Sequence, residues 1–515
     1  NLPSNATILS GDIGTTGDAS DNAYHVLVFN GGEGIGTNIS ANITNATVLD
    51  GVTVSGGNAN SDVNRDKRGG GLYCDGKSAG NECSPQITNA TFTGNSAEVR
   101  GGAIFNQGES GLSSPQIANV TFTGNAAALG GAIYNVGSGG ASSPQITNST
   151  FTGNSAEFIY GFVGGNGGAI WNYGEGGESN PQITNSTFTG NSADGGGGAI
   201  YNYGSPFGES SPQIMNVTFT GNSSGESGGA IHNYGFNGDS SPQITNTTFT
   251  GNSADENGGA IYNDGRGGGE SSPQITNSIL SGNSATGDGD EIYNNGASPT
   301  LSYTLIQGGL AGISDNNGSS MTYDASTNLE VAPDFVDASN PAGPDGTFGT
   351  EDDGLRLKVG SDALDVGDNA AVPSGITTDL LGEARIQDGD GDGTATVSLG
   401  AYERGKSEAQ LRLVAHPGAE TSTFKLFNIG NADVTGATVD LGLPTGISIT
   451  GDSGNGTITG DTWTVNVPAE DTVTVRLSYE RDAPVDSGVL NLTAELAGNY
   501  TVEGGAGDAT RPEDT

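Results

Sequence analysis

A motif that first reads SPQITNATFTGN, beginning at Ser84, recurs along the chain at nearly constant spacing. Its proline stands at positions 85, 115, 144, 181, 212, 242 and 273, so successive copies lie 30, 29, 37, 31, 30 and 31 residues apart. A second motif, most often GGAIYN, keeps step with the first and supplies Ile104, Ile133, Ile170, Ile200, Ile231, Ile261 and Ile292. A fixed period of this length is typical of solenoid or propeller repeats, whose units bury their apolar faces against one another.

The repeat unit favours a parallel β-helix. A propeller blade needs four strands in roughly 40 residues, and neither motif carries an apolar pattern of helical period long enough for a stable helix. Three short strands fit the unit: one at GGAIYN, one at PQIT, and one at the triplet ending in a phenylalanine such as Phe92. We therefore predict one coil of an all-β solenoid per repeat, with like side chains stacked from coil to coil.

A single asparagine separates the last two strands of each repeat. Ile87 and Phe92 differ in parity, so an uninterrupted strand could not turn both of them inward. A one-residue corner at Asn89 removes the conflict, since Asn tolerates the left-handed conformation. We predict that these corners stack into an asparagine ladder, which would also hide the N-x-[ST] sequons that they begin. The ladder comprises Asn89, Asn119, Asn148, Asn185, Asn216 and Asn246.

The charge and apolar content of the chain narrow its possible partners. Lys and Arg total 16 against 59 Asp and Glu, which gives a formal net charge of −43. Such a chain has little with which to neutralise phosphates, which argues against a nucleic-acid partner. No stretch approaches the roughly 20 apolar residues of a membrane-spanning helix. Only 32% of the residues are hydrophobic, so we expect each coil to bury a few large side chains among small ones.

The alternation of GGA[IL] with F-x-x-N, as in Phe92…Asn95 and Phe122…Asn125, resembles the repeats of polymorphic outer-membrane proteins. It also resembles the wider class of secreted bacterial right-handed parallel β-helix proteins. The resemblance covers about residues 50–300 and implies a right-handed β-helix in a secreted or surface-attached protein. Residues 333–403, with DLLGEARI and LGAYE, are similar to the choice-of-anchor Q region that often closes such helices.

The predicted fold class is all-β, with a right-handed parallel β-helix followed by an immunoglobulin-like β-sandwich. About seven alternating strands near the C-terminus favour the sandwich. The predicted parts are a β-helix at 1–332 (irregular coils 1–60, regular coils 61–300), a closing region at 333–405, a sandwich at 406–503 and an acidic tail at 504–515.

Two acidic, glycine-rich loops near the closing region are candidate cation sites. Alternating carboxylates can surround one Ca²⁺, which takes six to eight oxygen ligands. A bound Ca²⁺ would be structural, and the alternative is a pair of solvated acidic turns. The candidate ligands are Asp388, Asp390, Asp392, Asp345, Asp352 and Asp353.

The two cysteines bracket a short loop. Cys74 and Cys83 enclose DGKSAGNE, which we interpret as an outer loop. Cysteines so few and so close suggest a disulfide formed in an oxidising compartment. Two free thiols are the alternative.

Aromatic residues predict a partner-binding surface. The residue after each inward Ile points outward, and a further tyrosine follows two positions later in three coils. Such a strip could stack on sugar rings or bury against a protein, or it could only stabilise the sheet by cross-strand stacking. The 37-residue repeat also contains an inserted turn rich in large apolar residues, which we interpret as a contact surface. The surface candidates are Trp171, Tyr201, Tyr173, Tyr203, Tyr234, Phe158, Ile159, Tyr160, Phe162 and Val163.

These features predict a non-enzymatic, secreted or cell-surface structural or adhesive protein. Self-association into a filament or surface layer, another surface protein and a polysaccharide remain open as partners. The alternative function is that of a polysaccharide-binding module or a β-helix lyase or hydrolase. Such enzymes need paired carboxylates or Ca²⁺ with a base, and the repeats vary mainly in Gly, Ser and Asn.

Overall fold

The computed structural model describes residues 7–31, 42–61, 67–159, 164–358, 360–389, 393–404, 411–416, 421–428, 434–440, 447–460, 462–467 and 472–481. These residues form strands and turns, with 3-10 helices at Ala19–Asp21, Gly309–Gly312 and Asn369–Ala371. The chain divides into two compact units. The first comprises Asn1–Asp334, Asp362–Gln387 and Ala395–Arg404, and the second comprises Phe335–Ser361, Asp388–Thr394 and Gly405–Thr515.

The first unit is a parallel β-helix, as predicted. Its sheet 1 holds the GGAIYN strands, and Ile133 pairs directly with Ile170 across the 37-residue repeat. In chain order, the sheet 1 strands are Leu27–Asn30, Leu72–Asp75, Ile104–Gln107, Ile133–Val136, Ile170–Glu175, Ile200–Ser205, Ile231–Gly235, Ile261–Asp264, Ile292–Asn295 and Ile313–Asn316.

Sheet 2 holds both the PQIT strands and the phenylalanine triplets, on either side of the asparagine corner. Its strands are Thr7–Ser10, Val48–Asp50, Val52–Ser55, Gln86–Thr88, Thr91–Thr93, Gln116–Ala118, Thr121–Thr123, Gln145–Thr147, Thr150–Thr152, Gln182–Thr189, Gln213–Thr220, Gln243–Thr245, Thr248–Thr250, Gln274–Thr276, Ile279–Ser281, Thr300–Ser302, Leu305–Ile306 and Thr322–Tyr323.

The sequence did not predict sheet 3, because each of its strands has two residues and so carries no periodic signal. Most of its strands are the two small residues, usually Ser-Ala, that follow FTGN. Its strands are Asn58–Ala59, Ser96–Ala97, Ala126–Ala127, Ser155–Ala156, Ser192–Ala193, Ser223–Ser224, Ser253–Ala254 and Ser284–Ala285.

The asparagine corner has the predicted conformation. The backbone φ angles of the six predicted corner asparagines lie between 48° and 56°, in the left-handed region. Ile87 and Phe92, on either side of the first corner, are both fully buried. The corner therefore lets both side chains enter the core, as their parity requires.

In the core of the β-helix, side chains of the same type from successive coils stack on one another. The Phe92 series forms a column in which successive ring centroids lie 4.5–5.4 Å apart. A column of isoleucines, including Ile104 and Ile133, lies on the inner face of sheet 1 and is fully buried. Small alanines of the GGA motif fill the space beside the isoleucines.

Two columns of buried asparagines run through this interior. In the first, each Nδ2 donates 2.8 Å to the Oδ1 of the next coil. We call it the sheet 1 ladder; it comprises Asn106, Asn135, Asn172, Asn202, Asn233, Asn263 and Asn294. The second we call the F-x-x-N ladder, with side-chain bonds of 2.8–3.1 Å; it comprises Asn95, Asn125, Asn154, Asn191, Asn222, Asn252 and Asn283. Because these asparagines hydrogen-bond to one another, they can take the place of apolar side chains in part of the core.

The segments Asp362–Gln387 and Ala395–Arg404, together the flank segment, pack on the side of sheet 2 within the first unit. Asn277 anchors this contact: its backbone oxygen accepts from Gly400 N (2.8 Å) and its Oδ1 from Asp368 N (2.8 Å). Further along, Asn216 Nδ2 donates 2.6 Å to Thr378 O. Much of the predicted closing region thus covers the flank of several coils.

The second unit contains antiparallel strands, which are compatible with a β-sandwich. One sheet consists of Leu411–His416, Thr421–Asn428, Thr472–Arg481 and Ile447–Gly454, and the other of Val434–Asp440, Thr462–Val467 and Thr457–Thr459. Trp463 is fully buried, and its Nε1 donates 2.8 Å to Asn455 O. An immunoglobulin-like topology stays a prediction. No helix within the described ranges is long and apolar enough to cross a membrane.

Candidate interaction surface

The outward aromatic residues of sheet 1 form a continuous ring stack, which we call the aromatic ladder. Neighbouring ring centroids lie 4.5–6.0 Å apart. Burial lowers the pKa of its single histidine, His232, to about 4, so this ring is uncharged at neutral pH; it is tilted by 40° and 59° against its two neighbours. The ladder comprises Tyr73, Phe105, Tyr134, Trp171, Tyr201, His232, Tyr262 and Tyr293.

Other parts of each coil cover this ladder. The guanidinium of Arg100 lies 5.0 Å from the ring centroid of Tyr134. Ala128 and Leu129, in the turn from sheet 3 to sheet 1, pack against the same group of rings. The turn can approach closely because it is glycine-rich: a Cβ on Gly196 would overlap the ring of the histidine in the next coil.

The prediction that Trp171 and Tyr201 belong to a binding surface is therefore wrong. Each is only 8% exposed, although both point away from the core of the β-helix. Strand parity gives the direction of a side chain and not what lies over it, so their burial was not evident from the sequence. Cross-strand stacking, the other interpretation of these residues, accounts for their position.

A second row of rings, here the tyrosine row, is half-buried and follows two residues later in sheet 1. Tyr203 and Tyr234 stack with centroids 5.2 Å apart and planes 6° apart, and Tyr173 lies 5.5 Å from Tyr203. Phe236 continues the row at 5.8 Å from Tyr234 and is 38% exposed. Tyr203 and Tyr234 therefore cover each other's faces, whereas the other two ring contacts are tilted, and the Tyr173 hydroxyl donates 2.7 Å to Glu175 Oε2.

Phe207 lies on the outer loop of a central coil and is 93% exposed. Its backbone N donates 2.9 Å to Asn237 O, and its φ is 62°, which is unusual for a bulky residue. The sequence analysis missed Phe207, because a single Phe in a Gly/Ser loop breaks no periodic pattern.

A row of carboxylates, here the carboxylate row, runs beside the tyrosines. Glu178, Glu209, Asp239 and Glu270 pair in parallel register from coil to coil, a spacing of about 4.8 Å between strands. Glu178 and Glu270 are exposed, and the two between them are partly exposed.

The turn inserted in the 37-residue repeat is only partly described. Phe158 is 52% exposed, and its backbone N donates 2.8 Å to Asp194 Oδ2. Ile159 packs against the aromatic ladder. Tyr160, Phe162 and Val163 lie outside the described residues, so a contact surface here stays a prediction.

The predicted calcium ligands occupy structured turns as far as they are described. Asp352 accepts from Thr350 Oγ1 (2.7 Å) and Asp345 N (3.2 Å). Asp353 Oδ2 accepts from Gly349 N (2.7 Å), and Asp388 Oδ2 from Gly393 N (3.2 Å).

The other two candidate ligands, Asp390 and Asp392, lie outside the described residues. Within the described ranges, no group of three His, Cys, Asp or Glu side chains is arranged to hold a metal ion. Calcium binding stays a prediction.

A disulfide joins Cys74 and Cys83, whose Cα atoms lie 5.7 Å apart. Its position differs from the expected outer loop, because both cysteines are fully buried in the apolar core. Cys74 pairs in sheet 1 with Asn106 and so stands where later coils carry the sheet 1 ladder. The crosslink closes the outer loop from inside the β-helix.

The corner asparagines differ in exposure along the β-helix. Asn119 Nδ2 donates 3.1 Å to Asn89 Oδ1, and Asn216 Nδ2 donates 3.0 Å to Asn185 Oδ1. Asn89, Asn119 and Asn148 are nevertheless exposed, so the expectation that the ladder hides every sequon is wrong for these three. Asn216 and Asn246 are fully buried, and the flank segment contacts Asn216 directly.

The sequence analysis missed the acidic residues that end both buried asparagine ladders. Asn294 Nδ2 donates 2.8 Å to Asp315 Oδ1, and Asn283 Nδ2 donates 2.6 Å to Glu291 Oε2. Glu291 is 3% exposed, and burial raises its pKa to about 7. The change from GGAIYN to GDEIYN was a visible signal of this position.

A buried ion pair within the flank segment was also missed. Arg385 Nε lies 3.3 Å from Glu403 Oε1, and both side chains are at most 1% exposed. Arg385 Nη2 donates to the backbone oxygens of Ser398 (3.1 Å) and Gly400 (2.5 Å). These contacts join the DLLGEARI and LGAYE sequences.

Six segments of the first unit match the Chlamydia polymorphic membrane protein (Chlamydia_PMP) repeat: residues 89–107, 119–136, 148–173, 185–203, 216–234 and 246–264. Each begins at a corner asparagine and ends in or beside a sheet 1 strand. No curated protein and no solved structure matches the chain. The six coils that are similar to this repeat are built as a parallel β-helix.

Proposed function

We propose that this protein acts at the cell surface, where the flank of its β-helix serves as an adhesive scaffold. The observation that carries the proposal is the unbroken register of the repeats. This register places structurally equivalent positions of successive coils at a regular spacing along one flank. The similarity to polymorphic membrane protein repeats supports a surface location. A disulfide supports an oxidising compartment, and a net charge of −43 favours solubility there.

The buried ladders support the scaffold role through rigidity. From the coil of Asn106 to that of Asn294, each coil is bonded to the next by parallel backbone pairing and by two side-chain amide bonds in the core. In solenoid proteins, stability is approximately a sum of terms within repeats and between neighbours. Strong interface terms at every coil would keep the outer loops at fixed spacing, which suits multivalent contact.

Surface location and adhesion can be tested separately on cells that produce the protein naturally. Immunogold labelling of intact cells, with permeabilised cells as the reference, reports location. Beads coated with the full chain then report attachment, with beads carrying a charge-matched unrelated protein as the control. Labelling that needs permeabilisation would overturn the surface location, and equal attachment of both bead types would overturn adhesion.

Polysaccharide cleavage and self-assembly stay predictions. Incubation of the full chain with acidic and neutral polysaccharides, followed by assays for reducing ends and unsaturated products, tests the first. Electron microscopy and light scattering of the native protein test the second.

A further inference from the structure

The outer flank of the central coils combines solvated aromatic surface with a regular row of charge. The tyrosine row, Phe236 and Phe207 supply the aromatic part. Phe207 leaves 93% of its surface in water and has a left-handed backbone conformation. An exposed Phe in that conformation is costly to the free protein. Contact with a partner would remove part of that cost.

The backbone of the carboxylate row lies against the sheet 1 strands that carry the tyrosines. Tyr173 and Tyr203 each precede a glycine of sheet 1 that lies against the next coil's acidic residue. A Cβ on Gly174 would overlap the backbone oxygen of Glu209, and one on Gly204 would overlap that of Asp239. Both rows therefore follow the β-helix axis side by side at the same one-coil spacing.

Like charges at neighbouring strand positions repel, and little on this flank offsets them. Between residues 164 and 270, the ends of the sheet 1 strands and the outer loops after them carry six acidic residues and one basic residue, Arg266, for a local charge of 1 − 6 = −5. Arg266 already pairs with Asp264, with Nη2 2.6 Å from Oδ2. A cationic partner would relieve this repulsion.

Two other occupants fit this surface less well. A second copy would bring its own net charge of −43 and add repulsion. A sugar chain stacks on open ring faces, whereas Tyr203 and Tyr234 cover each other's faces at 5.2 Å. The aliphatic stems of Lys and Arg can lie along ring edges while their charged ends reach carboxylates, and an exposed ring such as Phe207 can take a cation over its face.

We propose, building on the surface role above, that the tyrosine row, Phe207 and the carboxylate row together bind an extended segment of a basic polypeptide from another protein. The segment lies along the β-helix axis and contacts several coils. Its Lys or Arg side chains pair with successive carboxylates, and its stems pack against the aromatic edges.

The test measures fluorescence anisotropy of a labelled peptide of alternating Arg and Ser, titrated with the full chain at about 0.15 M salt. The double variant Glu178→Gln/Glu270→Gln removes two exposed carboxylates of the row and should weaken binding roughly three- to thirty-fold. Phe207→Ala should weaken it roughly three- to tenfold. Circular dichroism should show all variants folded, since these side chains are on the surface.

A charge-matched control distinguishes a built surface from general attraction. Asp255→Asn/Glu256→Gln removes two exposed carboxylates from the turn between sheets 3 and 1 and should leave the peptide affinity unchanged. An equal loss in this control, or no effect of Phe207→Ala, would overturn the proposal. Tighter binding of a neutral oligosaccharide than of the Arg peptide, sensitive to Phe207→Ala, would replace the polypeptide with a sugar.

The outcome is separable from that of the proposed function. Chains that coat beads and promote attachment but do not bind the Arg peptide would refute only the basic-polypeptide partner. Chains that bind the peptide yet are found only inside cells would refute only the surface role.

Discussion

The hydrogen bonds of the sheet 1 ladder predict which of its asparagines contributes most to stability. Asn172 donates 2.8 Å to Asn202 and accepts 2.8 Å from Asn135, and all three are fully buried. Asn172→Leu leaves Asn135 without its acceptor and Asn202 without its donor. A buried polar group left unsatisfied costs about 1–3 kcal/mol, so we expect the free energy of unfolding to fall by about 2–6 kcal/mol.

Asn106 is the matched control, because it stands at the first position of the same ladder. Its Oδ1 receives no hydrogen bond from the described residues, and its Nδ2 donates 2.8 Å to Asn135. Asn106→Leu therefore orphans one partner atom and also removes one unsatisfied oxygen. We expect a loss of at most about 1–3 kcal/mol, clearly smaller than at Asn172.

A double variant separates the hydrogen-bond explanation from simple loss of fit. Adding Asn202→Leu to Asn172→Leu again leaves two orphaned groups, on Asn135 and Asn233, so the second substitution should cost little. Urea unfolding followed by far-UV circular dichroism measures these differences, provided the variants share one m-value. Equal losses for Asn106→Leu and Asn172→Leu, or additive losses in the double variant, would refute this account of the ladder.

Three further predictions concern single positions in the first unit. Burial raises the pKa of Glu291 to about 7 from 4.5, so the protein should lose up to about 3 kcal/mol of stability as the pH rises from 4.5 to 7. The urea midpoints at pH 5 and pH 8 should therefore differ less in Glu291→Gln than in the unchanged protein. An equal difference in both proteins contradicts this. Reduction of the Cys74–Cys83 disulfide, which spans 9 residues, should lower the free energy of unfolding by about 2.5 kcal/mol. An unaltered thermal midpoint, after a thiol assay has shown that both cysteines are reduced, argues against this. Gly198→Ala should prevent or severely impair folding, because the new Cβ would overlap backbone oxygens of the next coil. Gly190→Ala has open space around its Cβ but a φ of 60°, so it should cost about 1–2 kcal/mol. Soluble yield and thermal midpoint compare the two variants, and similar behaviour would count against the close approach of Gly198 to the next coil.

Strand periodicity and parity were enough to predict the coil. The step from Ile133 to Ile170 keeps register despite the longer repeat, because the extra residues fall in a turn. The conflict between Ile87 and Phe92 predicted the left-handed corner at Asn89, which the structure confirms. Both inferences depend only on contacts between neighbouring coils, which a repeated motif reveals directly.

Contacts between parts of the chain far apart in sequence could not be predicted in this way. The turn that carries Ala128 and Leu129 packs against the same group of rings as Trp171, but two such residues make no apolar pattern. The flank segment reaches back about 160 residues to bury Asn216, since Thr378 O accepts from its amide at 2.6 Å. No periodic signal in either segment identifies its partner, so neither the burial of Trp171 and Tyr201 nor the difference in exposure between Asn216 and Asn89 could be predicted.

The two buried ladders also explain why the repeats must end in altered coils. In both ladders each Nδ2 before the last uses one N–H to bond the asparagine of the next C-terminal coil, whereas in the F-x-x-N ladder Nδ2 also donates to a phenylalanine backbone oxygen of the preceding coil, as Asn283 does to Phe249 O. The last amide of each ladder therefore has one N–H with no further asparagine to accept it. An unmatched donor in the core is costly, and the oxygens of a carboxyl group can accept it. Asp315, at the next position of sheet 1, and Glu291, from the same coil as Asn283, accept from these last amides. At the opposite end of the sheet 1 ladder, where an acceptor is left over, Cys74 occupies the neighbouring position. The departures from GGAIYN and from the asparagine pattern at the ends of the array are therefore termination signals of a directional core.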